Sequence, residues 1–232
     1  MKSLPLVLAL VLGSLGAALL PRGIAAQDVA SLEGRVSPEV RRVVRAIAAD
    51  ATARGLPVEP LVQKAIEGAA KGVPDDRVIA AVRALAGRLA EAAGTLRQPG
   101  GPAPAADVVE GAADALAAGL DPGQVRELVR ISQPPYDPAL TLQVAATLTA
   151  LGVPVGQAVQ LLERSIEAGA TPGDLLGIPA QVQAGVARGN TPSQAAAGLT
   201  RAAGGSPPGR TPGWVPPGQT NPHKPPPNPH KP

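Results

Sequence analysis

Cysteine and phenylalanine are absent from the 232-residue chain, and tryptophan, tyrosine and methionine occur once each. Without cysteine there is no disulfide framework, thiolate zinc site, thiol nucleophile or lipid-modified N-terminal cysteine. Histidine is nearly as scarce. His223 and His230 both fall near the C-terminal end, so the rest of the chain has no imidazole for a Ser-His-Asp triad or a histidine metal site. Aromatic residues make up 1% of the chain. The core must therefore be built from Leu, Val, Ile and Ala, an economy that suits close-packed helices better than a sheet sandwich.

One long apolar run is present. Lys2 precedes an apolar stretch from Leu4 to Leu20, which Pro21-Arg22-Gly23 closes before the small residues Ala25 and Ala26. The run falls short of the roughly 20 residues of a spanning helix, and its charge and small-residue pattern predict a signal peptide over 1–26. A linker at 27–36 follows, and the expected location is periplasmic or extracellular, with no transmembrane segment once the signal is removed. From Gln27 to Ala203 there are 14 Arg and 2 Lys against 18 Asp and Glu, a net charge of −2. No basic patch interleaved with aromatics is present, which argues against nucleic acid.

Composition changes abruptly near the other end. Residues 204–232 hold 11 prolines among 29 residues and almost no aliphatic side chains, a mixture that predicts a disordered, partly polyproline II tail. Asn-Pro-His-Lys-Pro occurs twice within it, at Asn221–Pro225 and Asn228–Pro232.

Between these ends the punctuation is regular. Ser37-Pro38, Asp121-Pro122, Asp137-Pro138, Thr171-Pro172 and Thr191-Pro192 each place a capping oxygen before a proline, a pattern that starts helices. Gly55, Gly72, Gly119, Gly152, Gly169 and Gly189 stand just before further starts, where a left-handed glycine closes the preceding helix. Helical stripes run through Val40, Val43, Val44, Ile47, Ala48 and Ala51, through Leu61, Val62, Ala65, Ile66 and Ala69, and through Val78, Ile79, Val82, Leu85 and Leu89. Further helices are predicted at about 104–118, 122–131, 138–151, 154–168, 172–188 and 192–203, with Pro179 dividing the one that starts at Pro172. The fold class is all-α over 37–203, an array or irregular bundle of short antiparallel αα-hairpins followed by the tail. Thr52–Val58 aligns with Thr149–Val155 at an offset of 97, which also brings Val62-Gln63 onto Val159-Gln160 and Gly72 onto Gly169. Two related units are expected at 38–97 and 135–195.

The run Gly55-Leu56-Pro57-Val58-Glu59-Pro60-Leu61-Val62-Gln63-Lys64-Ala65-Ile66-Glu67-Gly68-Ala69-Ala70-Lys71-Gly72, continued by Arg77–Leu85, resembles a group of secreted all-helical proteins of GC-rich bacteria. The resemblance spans about 37–200 and is strongest at 55–90. It implies export and an all-helical fold, and it brings no catalytic residue.

Few side chains offer chemistry. Asp75 and Asp76 are adjacent, so they do not share a helix face; capping the helix that follows Pro74 is their expected role. Glu163 and Glu167 share a face at i, i+4 but have no Glu-x-x-His partner for a metal site. Lys64 is spaced to pair with Glu67, and Tyr136 is expected to pack over a helix junction. Glycines sit at helix ends rather than in a phosphate loop. No cofactor is expected. In the tail, Trp214 with His223, Lys224, His230 and Lys231 forms a candidate partner-binding segment, since an aromatic ring in a proline-rich stretch suits a groove on a partner. The expected function is an exported, non-enzymatic helical binding or scaffold protein that engages a protein or envelope component through a helix face, the tail or both. Two alternatives stand beside it: a carboxylate-dependent envelope enzyme such as a glycan-cleaving helical protein, and a passive envelope spacer.

Overall fold

The computed structural model describes residues 29–204. The segment 1–26 read as a signal peptide and the candidate partner-binding residues Trp214, His223, Lys224, His230 and Lys231 lie outside the described residues. Within them are nine helices and no strand: α1 (Pro38–Ala53), α2 (Glu59–Ala70), α3 (Asp75–Leu96), α4 (Ala106–Ala117), α5 (Pro122–Ile131), α6 (Pro138–Ala150), α7 (Val155–Glu167), α8 (Pro172–Ala187) and α9 (Pro192–Gly204). The protein is all-α.

Many of these helix ends have a local cause. All five Ser/Thr/Asp-Pro pairs form side-chain caps. Ser37 Oγ accepts from the Val40 amide at 3.2 Å, Asp121 from Gln124 at 2.9 Å, Asp137 from Ala139 at 2.8 Å, Thr171 from Asp174 at 3.2 Å and Thr191 from Gln194 at 3.2 Å. At Asp121, Thr171 and Thr191 the third helical residue reaches back to the cap's own amide, at 2.9, 2.8 and 2.9 Å, which satisfies a second free donor of the first turn. The closing glycines are left-handed. Gly72 has φ +66° and Gly169 φ +76°. The amide of Val73 then bonds the Gly68 carbonyl and that of Ala170 bonds the Ser165 carbonyl, both at 3.0 Å, so orphan carbonyls of the last turn are paired. The equivalent bond, from the residue after the glycine, closes α1, α4, α6 and α8.

Pro179 does not divide its helix. α8 is continuous from Pro172 to Ala187. The ring removes one amide donor, but Leu175 and Ile178 before it and Val182 after it are all buried, and this shared apolar face keeps the helix continuous.

The described residues divide into two compact units, one ending at Ala84 and the other beginning at Leu85, with the boundary inside α3. In the first, Val40, Val44, Ala48, Leu61, Val62, Ala65, Val78 and Val82 form the core. Ser37 Oγ also donates to Asp75 at 2.6 Å, which ties the start of α1 to the start of α3. Just before α1, Leu32 is fully buried and Glu33 pairs with Arg41 and Arg45.

The second unit is a stack of three hairpins, α4–α5, α6–α7 and α8–α9. One layer runs α4–α6–α8 and the other α5–α7–α9, each helix packing on its neighbour in the layer as well as on its hairpin partner. This is the arrangement of a short helical solenoid. Small residues set its closest approaches. A Cβ on Gly111 of α4 would lie 3.0 Å from the Ala139 carbonyl oxygen of α6, and one on Gly185 of α8 would lie 2.7 Å from Ala195 Cβ of α9.

Helix ends of the first unit recur in the second at one spacing. α1 ends at Ala53 and α6 at Ala150, α2 at Ala70 and α7 at Glu167, while α3 begins at Asp75 and α8 at Pro172. Each pair is 97 positions apart. Thr52 Oγ1 donates to the Ala48 carbonyl at 2.9 Å, and Thr149 Oγ1 makes the same bond to Ala145 at 3.0 Å.

Candidate functional site

The first turn of α6 is where exposed chemistry gathers. Asp137 caps it, and the three residues that follow line depressions on several sides. On the α8 side a small, mostly apolar slot is formed by Tyr136, Leu140, Val144, Pro172, Leu175 and Leu176, with Asp137 and Thr141 also in its lining. Leu140 is 37% and Leu176 51% exposed, and they are two of the three large hydrophobic side chains exposed among the described residues. On the α4 side a groove of about 290 Å³ is lined by Asp107, Glu110, Asp114, Asp137 and Gln143, with Gly111, Ala139 and Leu140 at its floor and edge. No basic residue lines it. A third depression, of about 310 Å³, is lined by Pro102, Pro104, Val108 and Val129 beside Pro138.

Several local causes build this surface. Pro135-Tyr136-Asp137-Pro138 turns the chain into α6, and the Tyr136 hydroxyl donates to the Ala170 carbonyl of the α7–α8 turn at 2.7 Å. That bond satisfies the polar tip of the ring and leaves its apolar body in the slot. Tyr136 therefore packs over a helix junction, as its setting in the sequence predicts. Asp107, Glu110 and Asp114 stand at i, i+3 and i+7, so they share one face of α4. Their spacing was readable in the sequence and is the signal that would have found the groove. The exposure of Leu140 and Leu176 had no such signal, because α6 and α8 are apolar around most of their circumference and show no single stripe.

The other predicted positions are dispersed. Asp75 and Asp76 open α3 in its first turn, where Asp75 receives the Ser37 hydroxyl. Lys64 pairs with Glu67 at 3.2 Å, and Lys71 pairs with the same carboxylate; the bonds from Lys71 and then Lys64 hold the Glu67 carboxyl below its usual range. Glu163 and Glu167 lie in a groove of about 410 Å³ between α5 and α7, together with Glu127 and Arg130. Glu127 is bound by the Arg130 guanidinium, 2.8 Å from Nε, which lowers its pKa. Partial burial, followed by repulsion from Glu127 and Glu167, pushes the Glu163 carboxyl up. Glu167 pairs with Arg164 at 3.0 Å. Among the described residues no group of three or more His, Asp or Glu is arranged to hold a metal ion, and no helix is long and apolar enough to cross a membrane.

The chain matches no protein-family model, and no curated protein or solved structure is significantly similar to it.

Proposed function

We propose that the protein is an exported, non-enzymatic binding or scaffold module that engages a protein or envelope component through the α4–α6–α8 layer, with the proline-rich segment as a second element. One observation carries this reading: exposed Leu140 and Leu176 converge at a slot beside an acidic groove with no basic lining. Large apolar side chains left in water beside a one-sign polar rim mark an interaction surface, and stacked hairpins present extended faces suited to it. The test is crosslinking with mass spectrometry on intact envelope, repeated with Leu140→Asp and Leu176→Asp. A recurrent partner joined through α6 or α8, and lost in both variants, is the expected result. Crosslinks that ignore both substitutions and the removal of residues 205–232 would leave the spacer reading.

A second reading is an envelope enzyme working with carboxylates. It is favoured by the α5–α7 groove, where Glu127 is held down by Arg130 while Glu163 is pushed up, the separation an acid and its partner carboxylate need. Against it, no aromatic residue lines that groove, and sugar sites commonly stack on aromatics. Hydrolysis of envelope glycan that Glu163→Gln abolishes would establish this reading; absence of hydrolysis by the unaltered protein would dismiss it.

A further inference from the structure

The two layers of the second unit differ in charge. α4, α6 and α8 contain no Lys or Arg, and their charged residues are Asp107, Glu110, Asp114 and Asp174. α5, α7 and α9 carry Arg126, Arg130, Arg164 and Arg201, and two of these guanidiniums pair with Glu127 and Glu167 of their own layer. No ion pair reaches Asp107, Asp114 or Asp137 among the described residues. The exposed positions of α6 are Leu140, Gln143, Thr147 and Ala150, and every exposed position of α8 after Asp174 is likewise uncharged. Arg188 follows the far end of α8, about 18 Å along the axis from Leu176 at 1.5 Å per residue. A helix face turned to water ordinarily carries charged side chains. Here α6 and α8 present leucines and small or amide side chains, beside carboxylates with no cation of their own.

The slot and the acidic groove are continuous. Asp137 and Leu140 line both, with the acids of α4 on one flank of α6 and Leu176 of α8 on the other. Packed helices lie about 8–10 Å apart, so the centres of the two depressions are separated by about one such spacing. An extended peptide advances about 3.3–3.6 Å per residue, and about two or three residues cover that distance. The sign of the charge selects the class of partner. A face of carboxylates without cations repels nucleic acid and anionic lipid headgroups. Among the described residues no three carboxylates are arranged to close on one metal ion. The ammonium or guanidinium of a peptide side chain needs one carboxylate at a time, and an apolar neighbour in the same peptide can lie over the slot.

We propose that the α4–α6–α8 face binds a cationic, extended segment of another protein. One apolar side chain of that segment covers Leu140 and Leu176, and a basic side chain about two or three residues away meets Asp107, Asp114 and Asp137. This rests on the binding face proposed above and adds the chemistry of what it binds. The two parts do different work. Covering the leucines supplies most of the affinity, and the carboxylates set the orientation of the segment and reject acidic competitors.

The experiment is fluorescence anisotropy of labelled synthetic peptides titrated with the purified full chain. The probe is the peptide Lys-Lys-Ser-Leu-Ser-Lys-Lys-Ser-Leu-Ser-Lys-Lys, with one control that has Ser for each Leu and another that has Glu for each Lys. The probe should bind with a Kd of about 10–100 µM, and both controls should bind at least about tenfold more weakly. Leu176→Ser, which changes no charge, should weaken the probe about tenfold. Asp107→Asn with Asp114→Asn should weaken it about three- to tenfold at low salt, and the difference should shrink at 1 M salt, where the screening length falls to about 3 Å. These side chains are exposed, so far-UV circular dichroism should be unchanged. Glu163→Gln with Glu167→Gln removes the same charge from the other layer and should leave binding as it was. Absence of probe binding overturns the proposal, as do equal binding of either control and equal losses from the two carboxylate pairs. Self-association that Leu176→Ser abolishes, seen by sedimentation without peptide, would give the face to a second copy and overturn it too. If crosslinks through α6 and α8 persist while the probe fails to bind, the partner's chemistry is wrong and the binding face stands; if both fail, the binding face falls as well.

Discussion

Gly68 lies inside α2, and its replacement by alanine separates propensity from packing. Considered as a position in a helix, Gly68→Ala should stabilise by about 0.5–1 kcal/mol, because alanine loses less backbone freedom on folding. The tertiary contact opposes this. An added Cβ would lie 2.8 Å from Val78 Cγ2, 3.4 Å from Cγ1 and 3.5 Å from Cβ, inside the optimal carbon separation of about 3.5–4.0 Å. Val78 is 2% exposed, and β-branching leaves it few alternative rotamers. α2 and α3 must then part slightly, an overpacking cost of about 1–3 kcal/mol. Packing outweighs propensity, and we expect Gly68→Ala to destabilise by about 1 kcal/mol. Gly87 of α3 has nothing within 4 Å of its would-be Cβ and serves as the control: Gly87→Ala should stabilise by about 0.5–1 kcal/mol. Urea unfolding followed by far-UV circular dichroism measures both, Gly68→Ala on the transition of the unit that ends at Ala84 and Gly87→Ala on that of the unit that begins at Leu85. In the background of Val78→Ala, which removes both clashing methyls, Gly68→Ala should lose most of its penalty, a coupling that a double-mutant cycle isolates. If Gly68→Ala stabilised as much as Gly87→Ala, the packing argument would be wrong.

Other expectations follow from the caps, the tyrosine and the raised carboxyl. Gly72→Ala and Gly169→Ala place a Cβ at positive φ and should each cost about 1 kcal/mol in the same melt. Tyr136→Phe leaves the Ala170 carbonyl without its 2.7 Å partner and should cost about 0.5–1.5 kcal/mol, with the helical content unchanged. The Glu163 carboxyl titrates above its ordinary value in the folded chain, so between the two values the folded state binds more protons than the unfolded one, and stability falls as pH rises through that window. Glu163→Gln should therefore be more stable than the unaltered protein at neutral pH, with a difference that vanishes below the normal carboxyl range; a difference independent of pH would rule out the burial argument.

The helix framework was legible because its signals are local. A capping oxygen before proline and a glycine after the last turn act within one turn of helix, so Ser37, Asp121, Asp137, Thr171 and Thr191 announced their helices, and Gly72 and Gly169 their ends, without knowledge of neighbours. What was not legible depends on contacts distant in sequence. Pro179 looks like a break until Leu175, Ile178 and Val182 are seen on one buried face. Gly68 looks like a tolerated weak point until Val78 is placed against it. The acidic face of α4 could be read from spacing alone. Which leucines of α6 and α8 face outward could not, because an element apolar on most sides carries no directional pattern and only its packing partners decide what remains exposed.

The correspondence at 97 positions bears on the proposed binding face. Leu176 of α8 corresponds to Ile79 of α3, yet Leu176 is 51% exposed and Ile79 8%. Their preceding neighbours, Leu175 and Val78, are alike, 4% and 2% exposed. The helix start and the buried position are thus the same in both units, while the adjacent apolar residue is covered in one and bare in the other. At the head of the α6 segment, Tyr136 and Asp137 stand where the earlier stretch has Glu39 and Val40, so the ring that bonds the α7–α8 turn and the carboxylate beside the slot belong to the second unit alone. A requirement of the shared framework would act at both places. Leu176 left in water beside Tyr136 and Asp137 meets no such requirement, and exposing it carries the cost of hydrating an apolar side chain, about 1.5–3 kcal/mol for full exposure of a leucine. A covering group would recover part of that free energy, which is why the proposal of a binding face rests on this surface rather than on any of the carboxylate pairs.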